Sequence, residues 1–107
     1  MQADRIFAAL ASGQRRKILA YLSKAALTTS ELAARFGMTA PSMSRHLSVL
    51  ENADLVTSRR EGQRVLYQLN SDHLVSTLTG FALEICPVSG PLKRESRALA
   101  KRRTPTG

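Results

Sequence analysis

Covalent or metal chemistry would have to come from very few side chains, because His46, His73 and Cys86 are the only histidines and the only cysteine in the 107 residues. A single cysteine makes no disulfide within the chain and no metal site with two thiolates from one copy, and it fits a reducing compartment, the cytoplasm. His73 stands directly after Asp72, and Glu84 follows further along the same segment. That set falls short of the four N, O or S ligands of a stable zinc site even when doubled across two copies. There is no glycine-rich phosphate loop and no nucleophile with a base beside it, so an enzyme is the least favoured class, and no metal or cofactor is expected. Cys86 keeps two readings: a small buried apolar residue, or a thiol open to oxidation that bridges a twofold copy if the Cα atoms come within about 7 Å.

Positive charge is the abundant chemistry. Sixteen Lys and Arg against eight Asp and Glu leave a net charge of +8, a balance that favours a polyanionic partner through counterion release. Much of it is local: Lys93, Arg94, Arg97, Lys101, Arg102 and Arg103, against Glu95 alone, give residues 93–103 a net +5. Such a block is as readily a solvated tail as a site. The other clusters are Arg15, Arg16 and Lys17, and Arg59, Arg60 and Arg64, with Arg45 between them.

The elements that must position these cations follow from periodicity and caps. A chain of this length buries only about 60–70% of its unfolded surface and forms one core. With no Trp and 5% aromatic residues, that core is built from aliphatic side chains and suits a mainly helical domain. Asp4 is placed to cap a first helix carrying Ile6, Phe7 and Leu10, which Ser12 and Gly13 interrupt. A second helix over 15–24 carries Ile18, Leu19 and Leu22. Its first turn holds Arg15, Arg16 and Lys17, where positive charge opposes the helix dipole. These cations either meet an anionic group or acids across a dimer, or face water.

Thr29 opens a short third helix that ends at Phe36 and Gly37. Thr39 caps a fourth, over 40–53, with Pro41 in the opening turn where its missing N–H costs nothing. Two capped helices so close together make a helix-turn-helix. Along the fourth, Met43, Leu47 and Leu50 form one face, and Ala40, Pro41, Ser44, Arg45 and Ser48 the other. Its acids, Glu51 and Asp54, wait until the end. The leading half is thus small, polar and positive, which suits entry into a DNA major groove better than plain solvent exposure.

Val65, Tyr67 and Leu69 alternate at period two, and with Glu61 and Gly62 at the turn they predict a β-hairpin. Arg59, Arg60 and Arg64 lie at its tip, able to reach phosphates or a minor groove, or simply solvated. A fifth helix over 72–85 carries Leu74, Leu78, Phe81 and Ile85 on one stripe, ended by Pro87. Either that stripe completes its own core or, with the first helix, it meets a second copy; the surplus of apolar surface favours a twofold dimer. The fold expected is mainly α with a small β-hairpin, a winged helix-turn-helix over 1–87. Residues 88–107 then form a basic, partly helical, mobile extension anchored at most by Leu92 and Leu99. The opening MQADRIFAALAS has too short an apolar run for a signal peptide, and nothing approaches the ~20 apolar residues of a membrane span.

The strings IFAALASGQRRKILAYL, TTSELAARFGMTAPSMSRHLSVLENADLV and SRREGQRVLYQLN resemble, in order, the first helices, the helix-turn-helix and the wing of the ArsR/SmtB (arsenical-repressor) family of transcriptional regulators. The resemblance runs over roughly 4–86. It implies a homodimer held by first and last helices, double-stranded operator DNA read by the fourth helix, and repression that a signal relieves. Thr39, Ala40, Ser42, Ser44 and Arg45 match the family's recognition-helix positions, and Arg59, Arg60, Gln63 and Arg64 its wing. His46 falls beside the core, where it packs or contacts a phosphate. The sequence departs from the metal-sensing members: ELAARFG lacks their paired cysteines, and the last helix lacks their second histidine. The dimer set implied is Ile6, Phe7, Leu10, Leu74, Leu78, Phe81 and Ile85. Dimeric binding would place two recognition helices about 34 Å apart on a near-palindromic site. An architectural DNA-coating protein and a winged helix used for protein contacts are the alternatives, and regulation of its own operon is a further expectation. The inducing ligand or partner is not legible.

Overall fold

The computed structural model describes residues 2–85 and 91–102, in two compact units that divide between Leu74 and Val75. The first holds α1 (Gln2–Leu10), α2 (Gly13–Leu22), β1 (Leu27–Thr28), α3 (Thr29–Phe36), α4 (Ala40–Asn52), β2 (Val56–Glu61) and β3 (Arg64–Leu69). The helix α5 (Ser71–Ile85) starts there and runs into the second, which also holds α6 (Pro91–Lys101). The expected boundary after residue 87, the helix stop at Pro87 and both readings of Cys86 lie outside the described residues.

Hydroxyl caps set the helix starts. Ser12 Oγ accepts from the Arg15 N–H at 3.3 Å and so begins α2, rather than merely interrupting α1. Thr28 Oγ1 accepts from the Glu31 N–H at 3.1 Å while the Glu31 carboxylate accepts from the Thr28 N–H at 2.8 Å. This reciprocal capping box satisfies two helix-end donors at once, and it places the cap one residue before the expected Thr29 start. Thr39 Oγ1 accepts from the Ser42 N–H at 3.2 Å, with Pro41 in the first turn of α4. Asp4 does not cap α1, which begins at Gln2; its carboxylate lies in the first turn, where it still opposes the helix dipole favourably. Between α3 and α4 the chain reverses at Gly37, which takes a left-handed φ of 64° and lets Met38 N–H reach Ala33 O at 2.9 Å.

The apolar faces then close on one another. Ile6 from α1, Ile18 from α2, and Met43, Leu47 and Leu50 from α4 are completely buried, and Leu32 of α3 is 1% exposed. Each such side chain contributes about 1.5–3 kcal/mol of transfer free energy. A three-stranded antiparallel sheet of order β1-β3-β2 flanks them. Glu61 pairs with Arg64, so the hairpin loop is Gly62 and Gln63, one residue later than expected, with Gly62 at φ 66°. The strand β1, which the sequence did not suggest, pairs Leu27 with Tyr67 and Thr28 with Leu66. Thr28 is thereby both the last residue of a strand and the cap of α3.

Candidate nucleic-acid interface

The burial of Met43, Leu47 and Leu50 fixes which side of α4 is left outside: Thr39, Ala40, Pro41, Ser44, Arg45 and Ser48 are exposed, and Ser42 is half-buried. No acid occupies the first turn. The positive end of the helix dipole thus faces outward beside small side chains, with the Ser42 N–H already taken by the Thr39 cap and no N–H on Pro41, a surface that fits an anion and a groove of limited width. The sequence expected these positions, and the structure brings them to one face.

His46 differs from its neighbours. It is half-buried, and its Nδ1 lies 3.4 Å from a guanidinium nitrogen of Arg15. Burial first and the adjacent Arg15 charge second hold its imidazole below the ordinary value near 6.5, since both disfavour the cation. A neutral, internally engaged ring is a poor phosphate ligand. Of the two expectations for His46, packing describes its setting.

The wing cations do not act as one cluster. Side chains alternate along a strand, so Arg59, Glu61 and Arg64 share one face of the hairpin and Arg60 takes the other with Ser58 and Val65. On the first face Arg59 Nε lies 3.5 Å from Glu61, Arg64 lies 3.9 Å from the same carboxylate, and Arg59 donates to Gln68 Oε1 at 2.9 Å. On the second, Ser58 Oγ donates to Glu51 Oε2 of α4 at 2.8 Å. Arg60 therefore belongs to the side of the wing that turns toward the recognition helix. The sequence offers Glu61 only as a turn residue, although its position two residues from Arg59 is the signal that they share a face. Arg64 and Gln63 also border a shallow groove with Thr28, Thr29 and Ser30 at the start of α3.

Arg15 and Arg16 have a definite partner, and it is not an acid. Arg15 donates to Ala9 O at 2.8 Å and Ala8 O at 3.2 Å, and Arg16 to Leu10 O at 2.6 Å. These are carbonyls at the C-terminal end of α1, the negative end of its dipole, so the unfavourable position at the start of α2 is compensated by the helix before it.

The residues expected at a dimer interface separate by burial. Ile6 has no exposed surface and belongs to the protomer core; it backs any interface rather than forming it. Leu10 and Leu74 are half-buried against the same core. Phe7, Leu78, Phe81 and Ile85 are exposed, between 37% and 61%. Among the described residues no group of three or more His, Cys, Asp or Glu side chains could hold a metal ion, and no helix is long and apolar enough to cross a membrane.

A three-helix scaffold presenting a capped reading helix, with a basic hairpin beside it, defines a winged helix-turn-helix DNA-binding domain. The family model for a helix-turn-helix domain matches residues 5–59. The transcriptional repressor SdpR of Bacillus subtilis is 33% identical over 75 residues, covering 70% of this chain and 83% of that one. The regulator Rv2034 of Mycobacterium tuberculosis is 41% identical over 76 residues, 71% of each. Among solved structures, an ArsR-like transcriptional regulator from Rhodococcus sp. RHA1 superposes with a TM-score of 0.72 at 27% identity, over 94% of this chain and 88% of that one. The homodimeric winged helix-turn-helix domain of Mb0332 from Mycobacterium bovis gives 0.66 at 28% identity, over 82% of each. The chain belongs to the ArsR family of winged helix-turn-helix transcriptional regulators, and its function is DNA-binding regulation of transcription.

Proposed function

We propose that this regulator is a repressor that binds a near-palindromic operator as a homodimer, with α4 reading bases in the major groove and the wing contacting phosphates. The observation that carries the reading is the exposed, acid-free leading face of α4, from Thr39 to Arg45, backed by three fully buried side chains. Arg45 is the base reader: its guanidinium can meet a guanine edge in two hydrogen bonds, while Ala40, Ser42 and Ser44 keep the approach close. Gln63 and the wing arginines position the complex on the backbone. The dimer is supported by the apolar stripe of α5, on which Leu78, Phe81 and Ile85 are 37%, 43% and 61% exposed. Phe7 on α1 is a separate exposed apolar side chain, 37% exposed, and a relative's winged helix-turn-helix domain is homodimeric. DNA upstream of the protein's own gene is the first operator to test.

The test is fluorescence anisotropy of the protein on that DNA and on a scrambled duplex at two salt concentrations. A preference of about a thousandfold or more that persists at the higher salt supports operator recognition. Equal binding that collapses with salt refutes it. In the same assay Arg45→Ala is expected to cost about 1–3 kcal/mol on the preferred site and to relax the choice at one base pair. An equal loss on both duplexes would remove Arg45 from base reading.

A further inference from the structure

One guanidinium joins three helices. Arg15 is fastened at the start of α2 by the Ser12 cap on its own N–H, spends Nε and one terminal nitrogen on the carbonyls of Ala9 and Ala8 at the end of α1, and offers the other terminal nitrogen to His46 in the middle of α4. Arginine only donates, so His46 Nδ1 must accept, which requires a neutral ring with its proton on Nε2. His46 sits between Arg45, which is exposed, and Leu47, which is fully buried. Successive residues on a helix differ by about 100° in azimuth, so a contact that holds His46 also fixes the direction in which Arg45 leaves the helix.

We propose that Arg15 is a positioning residue for DNA reading, locking α4 to the end of α1 through His46, and that a proton on His46 releases the lock. The step is a change of hydrogen-bond sign. Protonated Nδ1 becomes a donor, so two donors and two positive charges face each other across 3.4 Å where one bond stood. Charged groups sit on every element packed against α4: Asp4 and Arg5 on α1, Arg15, Arg16 and Lys17 on α2, Glu31 and Arg35 on α3, Arg59, Arg60 and Glu61 on β2. Among them Arg15 is the one whose field acts on the ring. Among the described residues no carboxylate acts on the ring to offset an imidazolium there. The direction of the effect distinguishes it from bulk charge: one more positive charge on a DNA-binding surface would tighten binding to phosphates, whereas release of α4 weakens selective binding.

This inference rests on α4 being the reading helix. The test takes a duplex recovered by selection from a random pool with the full-length protein, and measures the ratio of its affinity to that of a scrambled duplex at pH 7.5 and 5.5. The wild type is expected to lose about tenfold of that ratio on acidification, the scale of one charge-assisted hydrogen bond. His46→Asn, whose amide oxygen stands where Nδ1 stood and accepts but takes no proton, should keep the ratio and show a flat profile. Arg15→Lys should lower the ratio already at pH 7.5, because an ammonium cannot serve three acceptors in one plane. His73→Gln should retain the wild-type profile, which assigns the titration to His46. Amide hydrogen exchange of residues 44–50 is read in parallel without DNA, and should quicken at pH 5.5, after correction for intrinsic rates, in the wild type but not in His46→Asn. A wild-type profile in His46→Asn, or tighter selective binding by the wild type at pH 5.5, overturns the proposal. If no duplex is preferred at pH 7.5, the reading of α4 fails instead, and the exchange data alone decide whether the lock exists.

Discussion

Arg60→Ala should weaken DNA binding more than Arg59→Ala or Arg64→Ala, although all three lie in one short basic hairpin. Arg59 and Arg64 share the Glu61 carboxylate at 3.5 and 3.9 Å, so part of their charge is already spoken for, whereas Arg60 projects from the opposite face beside Ser58, which is bonded to α4. Each phosphate neutralised adds about 0.9 to the slope of log K against log salt. Over a fourfold rise in salt, from about 50 to 200 mM, that slope makes one contact worth roughly 3.5-fold in affinity. Arg60→Ala should therefore flatten the slope by about 0.9 per subunit, or about 1.8 for a dimer. The converse perturbation is Glu61→Gln, which removes the carboxylate charge from beside two guanidiniums and should steepen the slope. Its cost to the fold is small, because side chains that are 53% to 67% exposed form ion pairs worth only about 0–1 kcal/mol. Anisotropy titrations of the wild type and the four variants at four salt concentrations, with thermal melts alongside, measure both effects. A slope unchanged by Arg60→Ala but lowered by a full unit in Arg59→Ala would refute the assignment of faces.

Leu47→Ala removes a completely buried side chain of α4 and should destabilise the domain by about 2–5 kcal/mol, read by urea denaturation followed by circular dichroism. The Glu31 carboxylate is held below its ordinary range first by the Thr28 N–H and then by the Thr28 hydroxyl, so its capping contribution is present above the ordinary carboxylate range and is lost as pH falls through the lowered value. Melting temperature should accordingly fall on acidification toward pH 3 less steeply in Glu31→Gln than in the wild type; parallel curves would show that the capping box does not carry the effect. Replacing Arg94, Arg97 and Lys101, exposed cations of α6, with Ala should reduce affinity for selected and scrambled duplexes alike and flatten the salt slope by up to about 2.7 per subunit. A loss confined to the selected duplex would make α6 a reader of sequence.

The reading helix was the most legible part of the chain because its signals are local. Thr39, Pro41 and the spacing of Met43, Leu47 and Leu50 each act within a few residues, and the start of α4 fell where they place it. What escaped depends on contacts between distant segments. The two residues of β1 are too few to show an alternation, and they form a strand only because β3 supplies partners for Leu27 and Thr28. Arg15 and Arg16 stand in the sequence between an anionic group, acids across a dimer and water, because carbonyls at the end of a neighbouring helix are not side chains and sequence does not display them. Ile6 and Phe7 read alike as apolar, yet adjacent positions on a helix diverge by about 100°; the first is swallowed by the core and the second is 37% exposed. The wing was legible as a hairpin, but its charges were counted before the pleat had sorted them.

Thr28 closes the sheet and starts the helix-turn-helix in a single residue, with 8% of its surface exposed. The root of the wing and the root of the reading helices are thus one joint, while the hairpin's far end is a two-residue loop that pairs with no other strand, although Gln63 borders the groove at the start of α3. Lengthening or shortening the chain at Gly62 and Gln63 would extend or retract the wing over the DNA while leaving the β1–β3 pairing and the Thr28 cap in place. One residue inserted beside Thr28 would slip the β1–β3 register and uncap α3 together. Footprint size can therefore drift among relatives at the tip of the hairpin, and the root is where length must stay fixed.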